Sequence, residues 1–85
     1  MSLTVVVQET ALRALARIRA EDQAAFASIK RALAALAEQP HPDQAVAWGG
    51  SGIYRLRWPG IRILYEVHED AATVYVINVA VPAQS

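Results

Sequence analysis

The sequence predicts an α+β domain in which an antiparallel-rich, four-stranded sheet carries an N-terminal helical hairpin packed on one face, in the order β-α-α-β-β-β. Three observations predict this fold. Residues 3–7 and 73–81 are β-branched runs, residues 10–38 repeat apolar side chains at helical spacing, and residues 51–67 alternate apolar and polar side chains around a Pro-Gly pair. The whole chain is one domain, because 85 residues build a single modest core.

Composition excludes several classes of protein. The chain has no cysteine, so a disulfide framework and a zinc-thiolate site are both unavailable, and we expect no metal or other cofactor. No stretch approaches the ~18 consecutive apolar residues of a membrane span, and we expect a cytoplasmic protein. The formal net charge of zero argues against indiscriminate nucleic-acid binding. The charge is uneven, however, since residues 44–65 contain three arginines and no acidic residue.

The N-terminal half is predicted to contain one strand and two helices. Residues 3–7 form the strand, and the period becomes helical after Thr10, which is the predicted N-cap. The helical pattern breaks at residues 20–22, and the second helix ends at Gln39 because Pro40 follows it. The predicted apolar lines of the two helices are Leu12, Leu15 and Ile18, and then Phe26, Ile29, Leu33 and Leu36.

The C-terminal half is predicted to contain a loop and three strands. The loop, residues 41–52, is interrupted by a short extended piece at residues 45–48. Residues 73–81 are apolar on both faces, which predicts an interior strand. The side of this strand that faces away from the helices depends on the length of the Glu69-Asp70 turn, which the sequence leaves open.

Residues 51–67 predict a β-hairpin whose two faces differ in character. With the turn at Pro59-Gly60, even spacing places Arg57 directly across from Arg62. One face, expected to lie beneath the helices, collects Tyr54, Leu56, Trp58, Ile61, Ile63, Tyr65 and Val67. The opposite face collects Arg55, Arg57, Arg62, Leu64, Glu66 and His68.

The pairing of Arg57 with Arg62 predicts an anion at this face. Like charges directly across a strand pair destabilise it by roughly 0.2–1 kcal/mol, whereas guanidinium groups suit bidentate contact with phosphate. The alternative is a solvated strand face on which Arg55 pairs diagonally with Glu66. His68 is a candidate general base on the same face, with an ordinary surface histidine as the alternative.

The motifs YRLR (residues 54–57) and RILYEV (residues 62–67), joined by a turn, resemble the RelE/ParE superfamily of bacterial toxins. The resemblance covers most of the chain and implies a RelE-like fold. It also implies the toxin of a type II toxin-antitoxin module, with a cognate antitoxin protein as its partner. RelE-like toxins cut messenger RNA on the ribosome without a metal, by attack of a 2′-hydroxyl on the adjacent phosphate.

By this resemblance, Arg55, Arg57 and Arg62 are the expected catalytic and nucleic-acid-binding residues, which hold the phosphate and stabilise charge in the transition state. A guanidinium group keeps its proton in proteins, so another group would have to transfer protons. The three arginines are also candidates for contact with acidic antitoxin side chains. The predicted antitoxin-binding residues are Leu64, Tyr75 and Ile77, because apolar side chains on an open sheet surface mark a docking site.

The sequence departs from RelE-like ribonucleases after the last strand. Those proteins carry a further basic residue there, and often a tyrosine, whereas residues 81–85 read VPAQS. The leading prediction is a ribosome-dependent messenger RNA endonuclease of weakened activity. Two alternatives stay open, namely a ParE-like inhibitor of DNA gyrase and a catalytically silent domain that only binds its antitoxin.

Overall fold

The structure, a computed structural model, describes residues 2–50 and 52–82. A first strand and two helices are followed by four strands: β1 (Thr4–Val7), α1 (Glu9–Glu21), α2 (Gln23–Glu38), β2 (Ala45–Ala47), β3 (Ile53–Trp58), β4 (Ile61–His68) and β5 (Thr73–Ala80). The strands form one mixed sheet of order β1-β5-β4-β3-β2, in which β1 runs parallel to β5 and the other neighbours are antiparallel.

The predicted α+β fold and element order are confirmed, but the sheet has five strands instead of four. The extra strand is β2, which the sequence indicated only as an extended piece inside a loop. It pairs with β3, and the Trp48 N–H donates to the Ile53 carbonyl (2.9 Å) where the two strands join. A run of three residues is too short for its alternation to distinguish a strand from a loop. The interior position predicted for β5 is confirmed, since it lies between β1 and β4.

Helix α1 begins earlier than predicted. Its N-cap is Gln8, whose carbonyl accepts the Leu12 N–H (2.9 Å), so Thr10 lies inside the first turn and is not the cap. The side chains that α1 buries are Ala11, Ala14 and Ile18, whereas Leu12 is 54% exposed. The predicted apolar line was therefore wrong at Leu12, because the small alanines face the sheet and allow close approach.

Helix α2 has the predicted bounds. Asp22 separates the helices, and its carboxylate accepts the Ala25 N–H (3.0 Å), which satisfies one of the free donors of the first turn. The helix ends at Glu38 with Gln39 as its C-cap, immediately before Pro40. In the described part of the chain, neither helix is long and apolar enough to cross a membrane.

Both helices pack on one face of the sheet, as predicted. Ile29 and Leu36 of α2 and Ile18 of α1 lie in the buried core. The sheet contributes Leu56, Ile61, Ile63, Tyr65, Val74, Val76 and Val79 to the same core. Tyr54 and Trp58 are half-buried against it, which agrees with their predicted place beneath the helices. The other side of the sheet, called here the open face, has no element of the described chain packed over it.

Tyr65 joins this core to the loop after α2. Its ring is fully buried, and its hydroxyl donates to the Pro40 carbonyl (2.8 Å). The ring of Tyr54 stacks on it, with 5.8 Å between centroids. Burial, and to a lesser extent the neighbouring Tyr54, raises the pKa of Tyr65 to about 12. The phenol therefore keeps its proton in the folded chain well above the pH at which an unfolded tyrosine loses it.

We expect Tyr65→Phe to lower the free energy of unfolding by about 1 kcal/mol at pH 8, because the hydrogen bond to Pro40 is lost. Because burial disfavours the phenolate, ionisation of Tyr65 lowers the stability of the wild type by about 2–3 kcal/mol as the pH rises from about 10 through 12, whereas the Phe variant has no such loss. The difference between wild type and variant should therefore shrink, then reverse, in denaturant titrations between pH 9 and 12. Tyr75→Phe, which leaves the Tyr65 hydrogen bond intact, should retain the alkaline loss. A pH-independent difference for Tyr65→Phe would contradict the assignment.

Candidate nucleic-acid interface

The β3–β4 hairpin has the register that the sequence predicted. Arg57 lies opposite Arg62, Leu56 opposite Ile63, Tyr54 opposite Tyr65 and Trp58 opposite Ile61. Gly60 in the turn has φ +79°, a left-handed conformation that glycine adopts without a steric penalty. Since side chains alternate along a strand, this register sends the aromatic and aliphatic set to the helices and the three arginines to the open face.

The three arginines occupy neighbouring positions on the open face. Arg57 and Arg62 are direct partners, and Arg55 is the partner of Leu64. Arg62 precedes Leu64 by two positions, so Arg55 and Arg62 are diagonal neighbours at roughly 7–8 Å. The hairpin thus brings all three predicted site residues onto one small area.

No carboxylate neutralises these arginines within the described residues. The predicted alternative, a pair between Arg55 and Glu66, does not form. Glu66 instead lies 3.3 Å from His68, measured from Oε1 to Nε2. The arginine cluster therefore has uncompensated positive charge, although the chain as a whole has a formal net charge of zero.

Arg55 has an unusual environment. Its guanidinium carbon lies 4.4 Å from the centroid of the Trp48 ring, which is a cation–π distance. Its Nε is buried and has no hydrogen-bond partner among the described residues. A buried donor without a partner costs free energy, so such groups are rare away from sites that bind a ligand or an ordered water.

Arg55 also contributes to the lining of a pocket of about 210 Å³ on the open face. Arg55 and Arg62 contribute its charged walls, and Trp48, Leu64 and Asn78 are also among its lining residues. Arg57 is exposed and does not line it. Of the three predicted arginines, Arg55 and Arg62 therefore line one pocket, and Arg57 lies at its solvent side.

A β-bulge brings Asn78 to the open face. Leu64 pairs with Asn78, but Tyr65 pairs with Val76, so Ile77 is an extra residue on β5. Without it, regular alternation would direct Asn78 to the core side of the sheet, where an amide without partners is costly. The bulge keeps Val79 in the core and places Asn78 in the lining of the pocket.

Among the pocket residues that sequence reasoning missed are Trp48 and Asn78. The sequence indicates Trp48 only as the end of an extended piece inside a loop, because three residues of β2 are too few to predict a strand. Asn78 depends on the bulge, for which the sequence gives one sign, a single amide within an otherwise apolar strand. A polar residue at a position that simple alternation would bury is the signal that could have indicated the bulge.

His68 does not reach the pocket. It lies six positions after Arg62 on β4, which is roughly 20 Å along the strand. Its ring packs edge-on against Tyr75, with 4.9 Å between centroids, and contacts Glu66. The structure therefore does not bring the candidate general base near the arginines.

The predicted antitoxin-binding residues all belong to the open side of the sheet and are half-buried. Leu64 lies between Arg55 and Asn78 in one row across the sheet and lines the pocket. Tyr75 pairs with Glu66 on one side and with Val6 on the other. Ile77 is the bulged residue. Together they continue the pocket as an apolar strip toward the β1 edge.

Comparison with known proteins relates the chain to toxins. The family described as "ParE toxin of type II toxin-antitoxin system, parDE" matches residues 5–81. The fold is similar to a chain of the toxin-antitoxin complex RelBE2 from Mycobacterium tuberculosis, with TM-score 0.81, 22% identity, and 99% of this chain and 95% of that chain covered. It is equally similar to the isolated Escherichia coli RelE toxin, with TM-score 0.81, 22% identity, and 99% and 88% covered. For the YoeB/ParE toxin from Agrobacterium tumefaciens, the TM-score is 0.80, the identity 14%, and the covered shares 95% and 100%. No curated protein sequence matches the chain.

We expect Arg57→Thr to stabilise the free protein by about 0.2–1 kcal/mol at low salt, because it removes the repulsion with Arg62 and introduces a residue that favours strands. Added salt should reduce this gain, since it screens exposed charges. The measurement is the free energy of unfolding in urea at two ionic strengths. Arg57→Lys keeps the charge and should give no comparable gain, so equal stabilisation by both variants would exclude repulsion as the cause.

Proposed function

The chain belongs to the ParE toxin family of type II toxin-antitoxin systems and is a toxin of the RelE/ParE superfamily, and on this premise we propose that it arrests translation by cleaving messenger RNA on the ribosome. The observation that carries the proposal is that Arg55 and Arg62 line the same pocket, with no carboxylate paired to either of them among the described residues. Two guanidinium groups at such a site are suited to an RNA phosphate, the anion that this reaction transforms.

The proposed reaction is attack of a ribose 2′-hydroxyl on the adjacent phosphate, with the 5′-oxygen as leaving group. Negative charge grows on the phosphate oxygens in the transition state. Donors that are already in position stabilise this charge without reorganisation. The Arg55 guanidinium packs on the Trp48 ring and is therefore in position before the RNA arrives, and strand pairing fixes the backbone of Arg62 beside it. Arg57, at the solvent side, contacts a neighbouring phosphate in this arrangement.

The arginines do not transfer the protons of this reaction. The pocket is lined by Trp48, Arg55, Arg62, Ile63, Leu64, Asn78, Val79 and Ala80, none of which exchanges a proton readily near neutral pH. Residues 83–85, in the segment where the sequence lacks the basic residue and tyrosine of RelE-like ribonucleases, lie outside the described residues. In this proposal, solvent or ribosomal groups accept and supply the protons. Cleavage is accordingly slower than in enzymes with a dedicated acid and base.

A second candidate function is inhibition of DNA gyrase. The observation that favours it is the family match itself, since the matching family is described by ParE and not by RelE. Here the arginine cluster would bind acidic side chains of a protein target, and no proton transfer would be required. A catalytically silent, antitoxin-binding domain is the remaining alternative.

The cognate antitoxin is the partner common to all these functions. The similar structures include toxin-antitoxin complexes, which supports such a partner here. We propose that it docks on the apolar strip of Leu64, Tyr75 and Ile77, and that acidic antitoxin side chains reach the arginines beside it. Both proteins, and the ribosome or gyrase, would then meet in the cytoplasm.

Induced expression of the chain, followed by pulse labelling of protein and DNA, tests the proposed activity. We expect protein synthesis to stop first, with messenger RNA cut inside coding regions, because the target is translating ribosomes. DNA damage with continued early translation would instead establish the gyrase function. An effect on neither process would establish the silent domain.

Arg62→Ala tests the assigned pocket. It should restore protein synthesis at least about tenfold, because one of two converging phosphate contacts is removed. Arg31→Ala on the exposed side of α2 is the matched control and should remain toxic. Full toxicity of Arg62→Ala, at equal expression, would remove the pocket from the mechanism.

The antitoxin surface is tested by the double variant Leu64→Ser/Tyr75→Ser. It should weaken antitoxin binding by at least tenfold in calorimetry, since the docking strip loses most of its apolar area. The antitoxin for this measurement is the small acidic protein with a DNA-binding N-terminus that such a module encodes beside the toxin. Leu12→Ser, at an exposed apolar position on α1, is the control and should bind normally. Unchanged affinity of the double variant would place the antitoxin elsewhere.

A further inference from the structure

A single carboxylate lies among apolar side chains on the open face. Glu66 is on β4, the central strand, and is the only acidic residue in the five strands that the structure describes. Its partners on the neighbouring strands are Tyr75 and Ile53. Val6 pairs with Tyr75 on the far side, and the Trp48 N–H donates to the Ile53 carbonyl. Glu66 is therefore one negative charge in a row of apolar and aromatic side chains.

A histidine is the only charged-pair partner of this carboxylate within the described residues. His68 Nε2 lies 3.3 Å from Glu66 Oε1, and the contact is an ion pair only when the histidine is protonated. No arginine or lysine pairs with Glu66, because the nearest guanidinium, that of Arg55, packs on the Trp48 ring instead. The Glu66 side chain keeps 34% of its surface exposed. Its charge is therefore available to a cation from another molecule.

The open face thus has two charged areas of opposite sign at a fixed separation. Glu66 follows Arg62 by four positions on the same strand, which is roughly 13 Å, and Leu64 lies between them. A partner that covers both areas must present acidic groups at the arginines, an apolar group at Leu64 and a basic group at Glu66. A second copy of this chain would set three arginines against one carboxylate and leave most of the positive charge unpaired. The charges therefore fit a different protein.

From these contacts we infer that the open face binds one amphipathic helix of the antitoxin, with a lysine or arginine of that helix on Glu66 and its acidic residues on the arginines. The inference rests on the proposed docking of the antitoxin and adds the charge order of the bound segment. The occupant is a helix because the hydrogen bonds of a sheet lie in its plane, so a segment on its face must pair its own backbone groups. With a rise of 1.5 Å per residue, the acidic and basic residues of that helix are about eight positions apart, with an apolar residue midway.

Calorimetry of the full chain with the acidic antitoxin encoded beside it tests the contact at Glu66. Glu66→Gln should weaken binding by at least about tenfold, because a partner cation loses its carboxylate. Without such a cation, the carboxylate would only repel an acidic protein, and Glu66→Gln would leave the affinity unchanged or raise it. Glu69→Gln is the matched control, since the Glu69 carboxylate also lies near a histidine, 3.4 Å from His41, but follows β4 in the turn. It should bind as wild type does.

A charge exchange identifies the residue of the antitoxin that meets Glu66. Glu66→Lys should bind the antitoxin still more weakly than Glu66→Gln, because two cations then face each other. A displayed library of antitoxin variants, selected for binding to Glu66→Lys, should yield changes from lysine or arginine to aspartate or glutamate at one position. These variants should in turn bind the wild-type chain less tightly than the parent antitoxin does. Restoration only by changes at other residue types would overturn the contact. Circular dichroism melts confirm that each variant is folded.

The outcomes distinguish this inference from the proposed function. Weaker binding of Glu66→Gln upholds the contact whether the toxin acts on messenger RNA or on gyrase, since only the antitoxin complex is measured. Unchanged or tighter binding of Glu66→Gln overturns it, even if Leu64→Ser/Tyr75→Ser weakens the complex and translation arrest is observed. If neither variant weakens the complex, the proposed docking and this inference fail together, and the proposed activity on messenger RNA is unaffected.

Discussion

The register of β3 against β4, set by the two-residue turn at Pro59-Gly60, is the constraint on which the rest of the molecule depends. Because side chains alternate with a period of two, a slip of one residue would exchange the faces of a strand. If β3 slipped, Tyr54 and Leu56 would turn to solvent, and Arg55 and Arg57 would meet the helices. The same register thus builds the core and assembles the charged pocket, so sequence changes in this hairpin act on stability and on the site together.

The bulge at Ile77 lets β5 bury Val76 and Val79 on the core side of the sheet while Asn78 lies on the open face, which regular alternation would not allow. Val74, Val76 and Val79 of β5 are all buried in the core. Val79 follows Val76 by an odd number of positions, whereas regular alternation buries every second residue. The extra residue absorbs this mismatch. It also gives the pocket an amide beside an apolar floor. One local irregularity in the sheet therefore keeps Val79 in the core and places Asn78 in the lining of the pocket.

Local patterns were sufficient to predict the hairpin register, the bounds of α2 and the placement of the arginines on one face. Alternation and Pro-Gly chemistry act over a few residues, so they can be read from the chain alone. The strand β2, the exposure of Leu12 and the position of Asn78 were not predicted, because each depends on contacts between distant segments. Trp48 belongs to the pocket only after β2 has paired with β3. The parts of the site that sequence reasoning missed are those created by tertiary structure.

The repulsion between Arg57 and Arg62 and the unpaired Arg55 Nε both lower the stability of the free protein. An anion or acidic partner that binds only the folded state adds stability as its concentration rises, about 2.7 kcal/mol at a hundred times its Kd. Occupancy then sets the fraction of chains that are open to proteases at any moment. A cell that makes this protein in excess of its partners would remove the surplus faster than the complexes, so the lifetime of the toxin would follow the supply of whatever fills its pocket.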